Sequence, residues 1–134
     1  MKPFYLLLLI VPLWIISSIS ARPVDAIEKT AELIRLGDVH ELAETFSPTV
    51  ELTVMDDENT YSSAQAESIL NNFFKRNSPK SVKILHRITS NANYRFAVLM
   101  LTTEGGTYRT SFSLKNVNGR FELNELRIEA EKTK

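Results

Sequence analysis

Residues 80–130, KSVKILHRITSNANYRFAVLMLTTEGGTYRTSFSLKNVNGRFELNELRIEA, decide the fold. They divide into four runs rich in aromatic and β-branched side chains, 80–90, 93–103, 107–116 and 120–130. The breaks fall at Asn91-Ala92, Glu104-Gly105-Gly106 and Asn118-Gly119. Asn-Gly and Gly-Gly supply the positive φ that tight hairpins need, so the stretch predicts a four-strand antiparallel meander.

Hairpin pairing then sorts the side chains into two faces. Val82, Ile84, His86 and Ile88 fall with Ala97, Leu99 and Leu101, and the second hairpin adds Tyr108, Thr110, Phe112 and Leu114. The third adds Leu123, but regular pairing would then bury Glu125 opposite Phe112. A one-residue bulge near Asn124 removes the conflict, because it turns Leu126 and Ile128 inward instead. The other face carries Lys83, Leu85, Arg87, Phe96, Val98, Met100, Arg109, Ser111, Ser113, Lys115, Glu122 and Arg127. Within it Leu85, Phe96, Val98 and Met100 form an apolar island ringed by basic residues. An apolar island on an uncovered sheet face calls for cover, either from a second copy as a candidate homodimer interface or from the chain's own termini.

Working outward, the N-terminal half reads as helices. Val24, Ile27, Ala31 and Ile34 recur at helical spacing and Gly37 suits a left-handed C-cap, so a first helix spans about Pro23 to Leu36. Asp38 opens a second helix through a capping box with Glu41; its buried face is Val39, Leu42, Ala43 and Phe46, and Ser47-Pro48 ends it. Thr49 to Met55 alternates as a half-buried strand, Asp56 to Asn59 reads as a turn, and Thr60-Tyr61 as a short return strand. Three acidic residues at this turn lack the spaced ligands, central Gly and closing Glu of a calcium loop. Ser62 and Gln65 cap a third helix whose stripe is Ala66, Ile69, Leu70, Phe73 and Phe74.

The first 21 residues stand apart. Lys2 precedes the 16-residue span FYLLLLIVPLWIISSI, and small residues follow up to Ala21. That layout predicts a cleaved secretory signal peptide over 1–21 and a single domain over 22–134, hence a secreted or periplasmic protein with no membrane attachment after cleavage. The rival reading is an uncleaved anchor, for which the span is short and Pro12 is an interruption. The sequence has no cysteine, which excludes disulfides, thiolate metal sites, a Cys nucleophile and a lipid-modified Cys together.

Formal charge balances at 16 basic and 16 acidic residues, but the signs are segregated. Arg22–Glu67 holds three basic and eleven acidic residues, whereas Ser68–Lys134 holds twelve and five. Acidic helices facing a basic sheet account for this pattern, the alternative being a basic sheet face that meets an anionic partner. The basic residues lie singly within strands and the total charge is zero, so nucleic acid is not an expected partner.

The order helix, helix, strand, short strand, helix and four-strand meander with a bulged last strand resembles the nuclear-transport-factor-2-like (cystatin-like) fold. In that fold a bent, mainly antiparallel sheet wraps three N-terminal helices as a cone. More narrowly, TVELTVMDDENTYSSAQAESILNNFFKRNSPKSVKILH (49–86), GGTYRTSFSL (105–114) and ELRIE (125–129) resemble a family of short secreted bacterial proteins classed as a domain of unknown function. The resemblance implies an α+β cone and an extracytoplasmic location; it brings no activity or catalytic residues.

Cones of this kind often hold a pocket at the open end. The inward polar residues His86, Tyr108 and Thr110, with Tyr61 and Arg95 at the rim, are the candidate pocket. A catalytic histidine needs a partner to orient it, and none is evident beside His86. No metal-ligand spacing, cofactor motif or strained nucleophile elbow is present. The expected function is therefore a non-catalytic module that binds a small apolar or amphipathic ligand, or an accessory protein acting through its sheet. The alternatives are an isomerase- or hydrolase-type enzyme built on His86 and Tyr108, and a purely structural dimer.

Overall fold

The computed structural model describes residues 25–131; the expected signal peptide, Val24 and the last three residues lie outside them. Among the described residues the elements are α1 (Ala26–Leu36), α2 (Val39–Glu44), β1 (Phe46–Val54), β2 (Asp57–Ser62), α3 (Ser63–Arg76), β3 (Pro79–Asn91), β4 (Tyr94–Thr103), β5 (Gly106–Val117) and β6 (Arg120–Ala130). No helix among these residues is long and apolar enough to cross a membrane.

The helix ends follow local hydrogen-bonding chemistry. Asp25 caps α1 by accepting from the Ile27 N–H, and the chain leaves the helix through a left-handed Gly37. The Gly37 and Asp38 N–H groups donate to the Ile34 and Leu33 carbonyls, a Schellman termination. This alters the expected capping box of α2. Asp38 does accept from Glu41 N–H at 3.2 Å, but its own N–H is already engaged by α1, so Glu41 makes no return bond. At α3 both halves of the box form, between Ser62 and Gln65.

The six strands form one sheet in the order β2-β1-β6-β5-β4-β3. All pairs are antiparallel except β1 with β6, which joins the N-terminal hairpin to the last strand of the meander. α1 packs on β3 and β4, α3 on β1 and β2, and α2 joins the other two helices. Phe73, Leu99, Phe112 and Leu126 share one buried cluster, with Ile27, Ile34, Leu42 and Leu70 closing it from the helices. Phe96 and Met100 lie on the opposite face of the sheet.

The register bears out the bulge in the last strand. Ser113 faces Glu125 while Leu114 faces Leu123, which leaves Asn124 as the extra residue. Leu126 and Ile128 are buried, and Glu125 escapes the core.

A second bulge overturns part of the expected β3 register. Ile84 pairs with Leu99 but His86 pairs with Val98, so Leu85 is the unpaired residue. From His86 to Ile88 the side chains therefore change face, until a further register shift before Asn91. His86 and Ile88 lie on the outer face beside Val98 and Phe96, and Arg87 turns to the helix side. There its guanidinium meets Asp25, the N-cap of α1, at 3.1 Å and Glu28, in its first turn, at 3.2 Å. The expected complementarity of acidic helices and basic sheet is realised at this point.

Two boundaries also differ. α2 ends at Glu44, and Phe46, Ser47 and Pro48 belong to β1, where a register shift against β6 accommodates them. The turn after β1 is Met55-Asp56, and β2 pairs with β1 from Asp57 to Ser62. Met55 takes φ 58, and its N–H is held by the Ile128 carbonyl at 2.8 Å, which pins the hairpin to β6.

Candidate functional site

The concavity of interest lies between α3, the β1–β2 hairpin and the start of β5, with a volume of about 450 Å³. Its size falls within the range of about 300–1,000 Å³ usual for small-ligand pockets. Apolar walls come from Val54, Met55, Ile69, Phe73 and Tyr108, and polar groups from Asp57, Asn72, Arg76 and Asn77. Ile69, Asn72, Phe73 and Arg76 stand at i, i+3, i+4 and i+7, so one face of α3 supplies them all.

The floor is rigidly built. The Tyr108 ring meets Phe73 edge-on with centroids 5.1 Å apart. Its hydroxyl donates to Asn77 Oδ1 at 2.9 Å, and Asn77 Nδ2 donates to the Phe73 carbonyl at 3.0 Å. The β4–β5 turn closes over this amide: a Cβ on Gly105 would lie 2.2 Å from Asn77 Oδ1. Glycine is required there by close approach, not by backbone angle. On the hairpin side Tyr61 donates to Asp57 Oδ2 at 3.2 Å. Burial of the Tyr61 ring, together with the Asp57 carboxylate, pushes the phenol's pKa up.

The residues expected to line a pocket do not converge. Tyr108 is in the cleft, and Tyr61 sits behind its hairpin wall through Asp57. Thr110 is one layer deeper, fully buried between Leu99 and Ile128, and its hydroxyl has no hydrogen-bond partner. Arg95 lies towards the other end of β4, six residues before Leu101, the partner of Tyr108. At about 3.3 Å per residue that is roughly 20 Å away. Its guanidinium caps the Phe121 ring at 5.1 Å and donates to the Asn91 and Tyr94 carbonyls. His86 is exposed on the outer face, so it neither lines a cavity nor packs on Phe73 or Phe112. A His86–Tyr108 acid/base pair is therefore excluded by the Leu85 bulge.

The other histidine, His40, is equally remote. It projects from α2 with Nδ1 3.0 Å from Glu67 and Nε2 3.6 Å from Glu44, and the hydrogen bond to Glu67 is the main cause of its raised pKa. Among the described residues no cluster of three or more His, Cys, Asp or Glu side chains could hold a metal ion.

The outer face carries the apolar row Phe96, Val98 and Met100 on β4, bordered by Tyr94 and by Ile88, which is 48% exposed. Tyr94 leans across it to within 3.1 Å of the buried Ser113 hydroxyl. Leu85 is not a regular member of this row, since the bulge removes it from the pairing.

With this geometry in hand, the sequence profile of one protein family, "Domain of unknown function (DUF4783)", matches residues 27–129. The chain belongs to the DUF4783 family. A solved family member from Bacteroides uniformis superposes with a TM-score of 0.76 at 18% identity, covering 81% of this chain and 100% of its own. Another, from Bacteroides fragilis, gives 0.72 at 22% identity over 82% of this chain and 99% of its own. A designed protein of the nuclear-transport-factor-2-like type gives 0.59 at 20% identity over 76% and 92%. The DUF4783 chain described here thus has a nuclear-transport-factor-2-like fold, α+β with a curved six-stranded sheet. No curated protein matches it.

Proposed function

We propose that this protein is a non-catalytic accessory protein that acts outside the cytoplasm and binds a small amphipathic ligand in the cleft between α3 and the β1–β2 hairpin. The cleft itself carries the reading. It combines a continuous apolar wall, from Val54 to Tyr108, with four convergent polar side chains, and neither histidine of the chain reaches it. In this reading the curved sheet and helices form a cone whose open end is the cleft. The leader Met1–Ala21 directs export.

Native mass spectrometry of protein purified from its own host tests the proposal, with Ile69→Trp as the blocked comparison. A retained small-molecule mass that diminishes in the variant is expected. Equal occupancy in both proteins would place the ligand elsewhere and sink the reading.

A second reading rests on the outer face: the row Phe96, Val98 and Met100, extended by Ile88 and Tyr94, is occupied by a second copy of this chain. It covers both the accessory role and a purely structural dimer. Val98, at the centre of the row, is only 8% exposed and already covered within the chain, whereas Ile88 at its border is 48% exposed, so a charge at Ile88 disrupts the apolar contact between copies without entering the core. Light scattering should show a dimer for the wild type and a monomer for Ile88→Glu; an unchanged mass in the variant ends this idea.

A further inference from the structure

The two long walls of the cleft carry opposite charge and do not neutralise each other. On the hairpin side stand Asp56 and Asp57, and on the helix side Lys75 and Arg76 close α3. Asp57 and Arg76 both line the cleft, and Lys75 borders the shallow depression that continues from it past Arg76. Among the described residues none of these four groups takes part in an ion pair.

Each charged group keeps hydrogen-bonding capacity directed elsewhere than the protein. Asp57 uses Oδ2 to accept from Tyr61, which leaves Oδ1 without a protein partner. Arg76 uses only Nε, towards the Asn72 carbonyl at 3.4 Å, and neither terminal nitrogen bonds a protein group. Guanidinium and carboxylate therefore face one cavity from opposite walls, with Ile69, Phe73 and Tyr108 between them.

From this arrangement we infer that the ligand is zwitterionic and the size of a short peptide, its ammonium group on Asp57, its carboxylate on Arg76 and its apolar side chains against Ile69 and Phe73. A purely anionic amphiphile satisfies Arg76 but brings like charge towards Asp57; a purely cationic one does the reverse. A guanidinium with two free terminal nitrogens suits a carboxylate's two oxygens. Two extended residues separate their termini by about 7 Å, and the bulk of such a ligand suits a cleft of about 450 Å³. The inference rests on the cleft reading above and adds the charge type of the ligand.

The test titrates ¹⁵N-labelled full chain with leucyl-phenylalanine, its N-acetyl form, its C-terminal amide and octanoate, reading amide shifts on the hairpin and on α3. The free dipeptide should bind, with each capped form about tenfold weaker, since a charge-assisted hydrogen bond contributes about 1.5 kcal/mol or more. Asp57→Asn should bind the free and N-acetylated peptides equally, and Arg76→Gln the free and amidated peptides equally. Both positions are exposed, so the variants should keep the wild-type fold, checked by the unchanged remainder of the spectrum. Capped and free peptides binding alike, or octanoate alone moving the cleft resonances, would overturn the zwitterion inference while leaving the cleft reading in place. If none of the four probes shifts the cleft resonances, both fall.

Discussion

Tyr108 donates its phenolic hydrogen bond to Asn77 Oδ1 at 2.9 Å, joining the start of β5 to the C-cap residue of α3. The bond spans 31 residues of sequence, and it holds the helix that forms one wall of the cleft against the strand that forms its floor. Tyr108→Phe removes the donor and leaves the ring edge-on against Phe73. A loss of about 0.5–1.5 kcal/mol in urea denaturation is expected, together with altered amide shifts along α3.

Gly105 gives the sharper test of the same junction. Its φ is not positive, so alanine suits the backbone and would by itself stabilise by about 0.4–1 kcal/mol. The 2.2 Å approach to Asn77 Oδ1 reverses the sign, with an expected destabilisation of about 1–3 kcal/mol. In an Asn77→Ala background most of that penalty should vanish. A double-mutant cycle that returns additive effects would show that the two residues do not meet.

Thr110 is a polar group with nothing to bond. Its side chain is fully buried on β5, and its hydroxyl has no partner. Thr110→Val keeps the shape and removes the unsatisfied group, so stability should rise by about 1–2 kcal/mol. The urea midpoint should increase with an unchanged slope; a lower midpoint would reveal a bridging water at this position.

Arg87 links β3 to the capped start of α1 through Asp25 and Glu28. The groups are about 40–55% exposed, so Arg87→Ala should lose only about 0.5–1 kcal/mol at low salt. The difference should shrink in 1 M salt, where screening acts within about 3 Å. Hydrogen exchange in the first turn of α1 should quicken in the variant. Arg87→Lys should rescue only part of the effect, because an ammonium cannot fork between two carboxylates.

His40 makes stability depend on pH. Its pKa is raised by the hydrogen bond to Glu67 and then by the charges of Glu67 and Glu44. A raised folded-state pKa contributes stability that is fully present below the unfolded value, about 6.5, and is lost as pH rises through the folded value. The thermal midpoint gap between wild type and His40→Gln should therefore be wider at pH 6 than at pH 8.5. A gap that is constant or widens with pH contradicts the assigned cause.

The two bulges show why one was legible and the other was not. At Asn124 regular pairing would have buried the Glu125 carboxylate opposite Phe112, and burying an unpaired charge is so unfavourable that a slip of register is forced. In β3 the residues Ile84, Leu85 and Ile88 are apolar at both parities, so alternation cannot choose a face. The choice fell to α1, whose acidic first turn offers partners to Arg87 and none to His86. The expected His86 site was lost through that one residue. The spacing of Ile69, Asn72, Phe73 and Arg76 was a usable signal for the helix wall of the cleft, masked because the same stripe also reads as core packing.

Turn chemistry, helix caps and period-two alternation are local properties, and from them the sequence by itself determined an α+β class, the four-strand meander, the Asn124 bulge and the apolar interior. Only the tertiary structure decided where α3 docks on the β1–β2 hairpin, and with it which polar groups share a cavity. Asp57 and Arg76 are separated by a strand and a helix, and each alone looks like an ordinary solvated surface charge. Their opposition across one cleft is set by side-chain packing of Phe73 on Tyr108, which no pattern confined to either segment encodes.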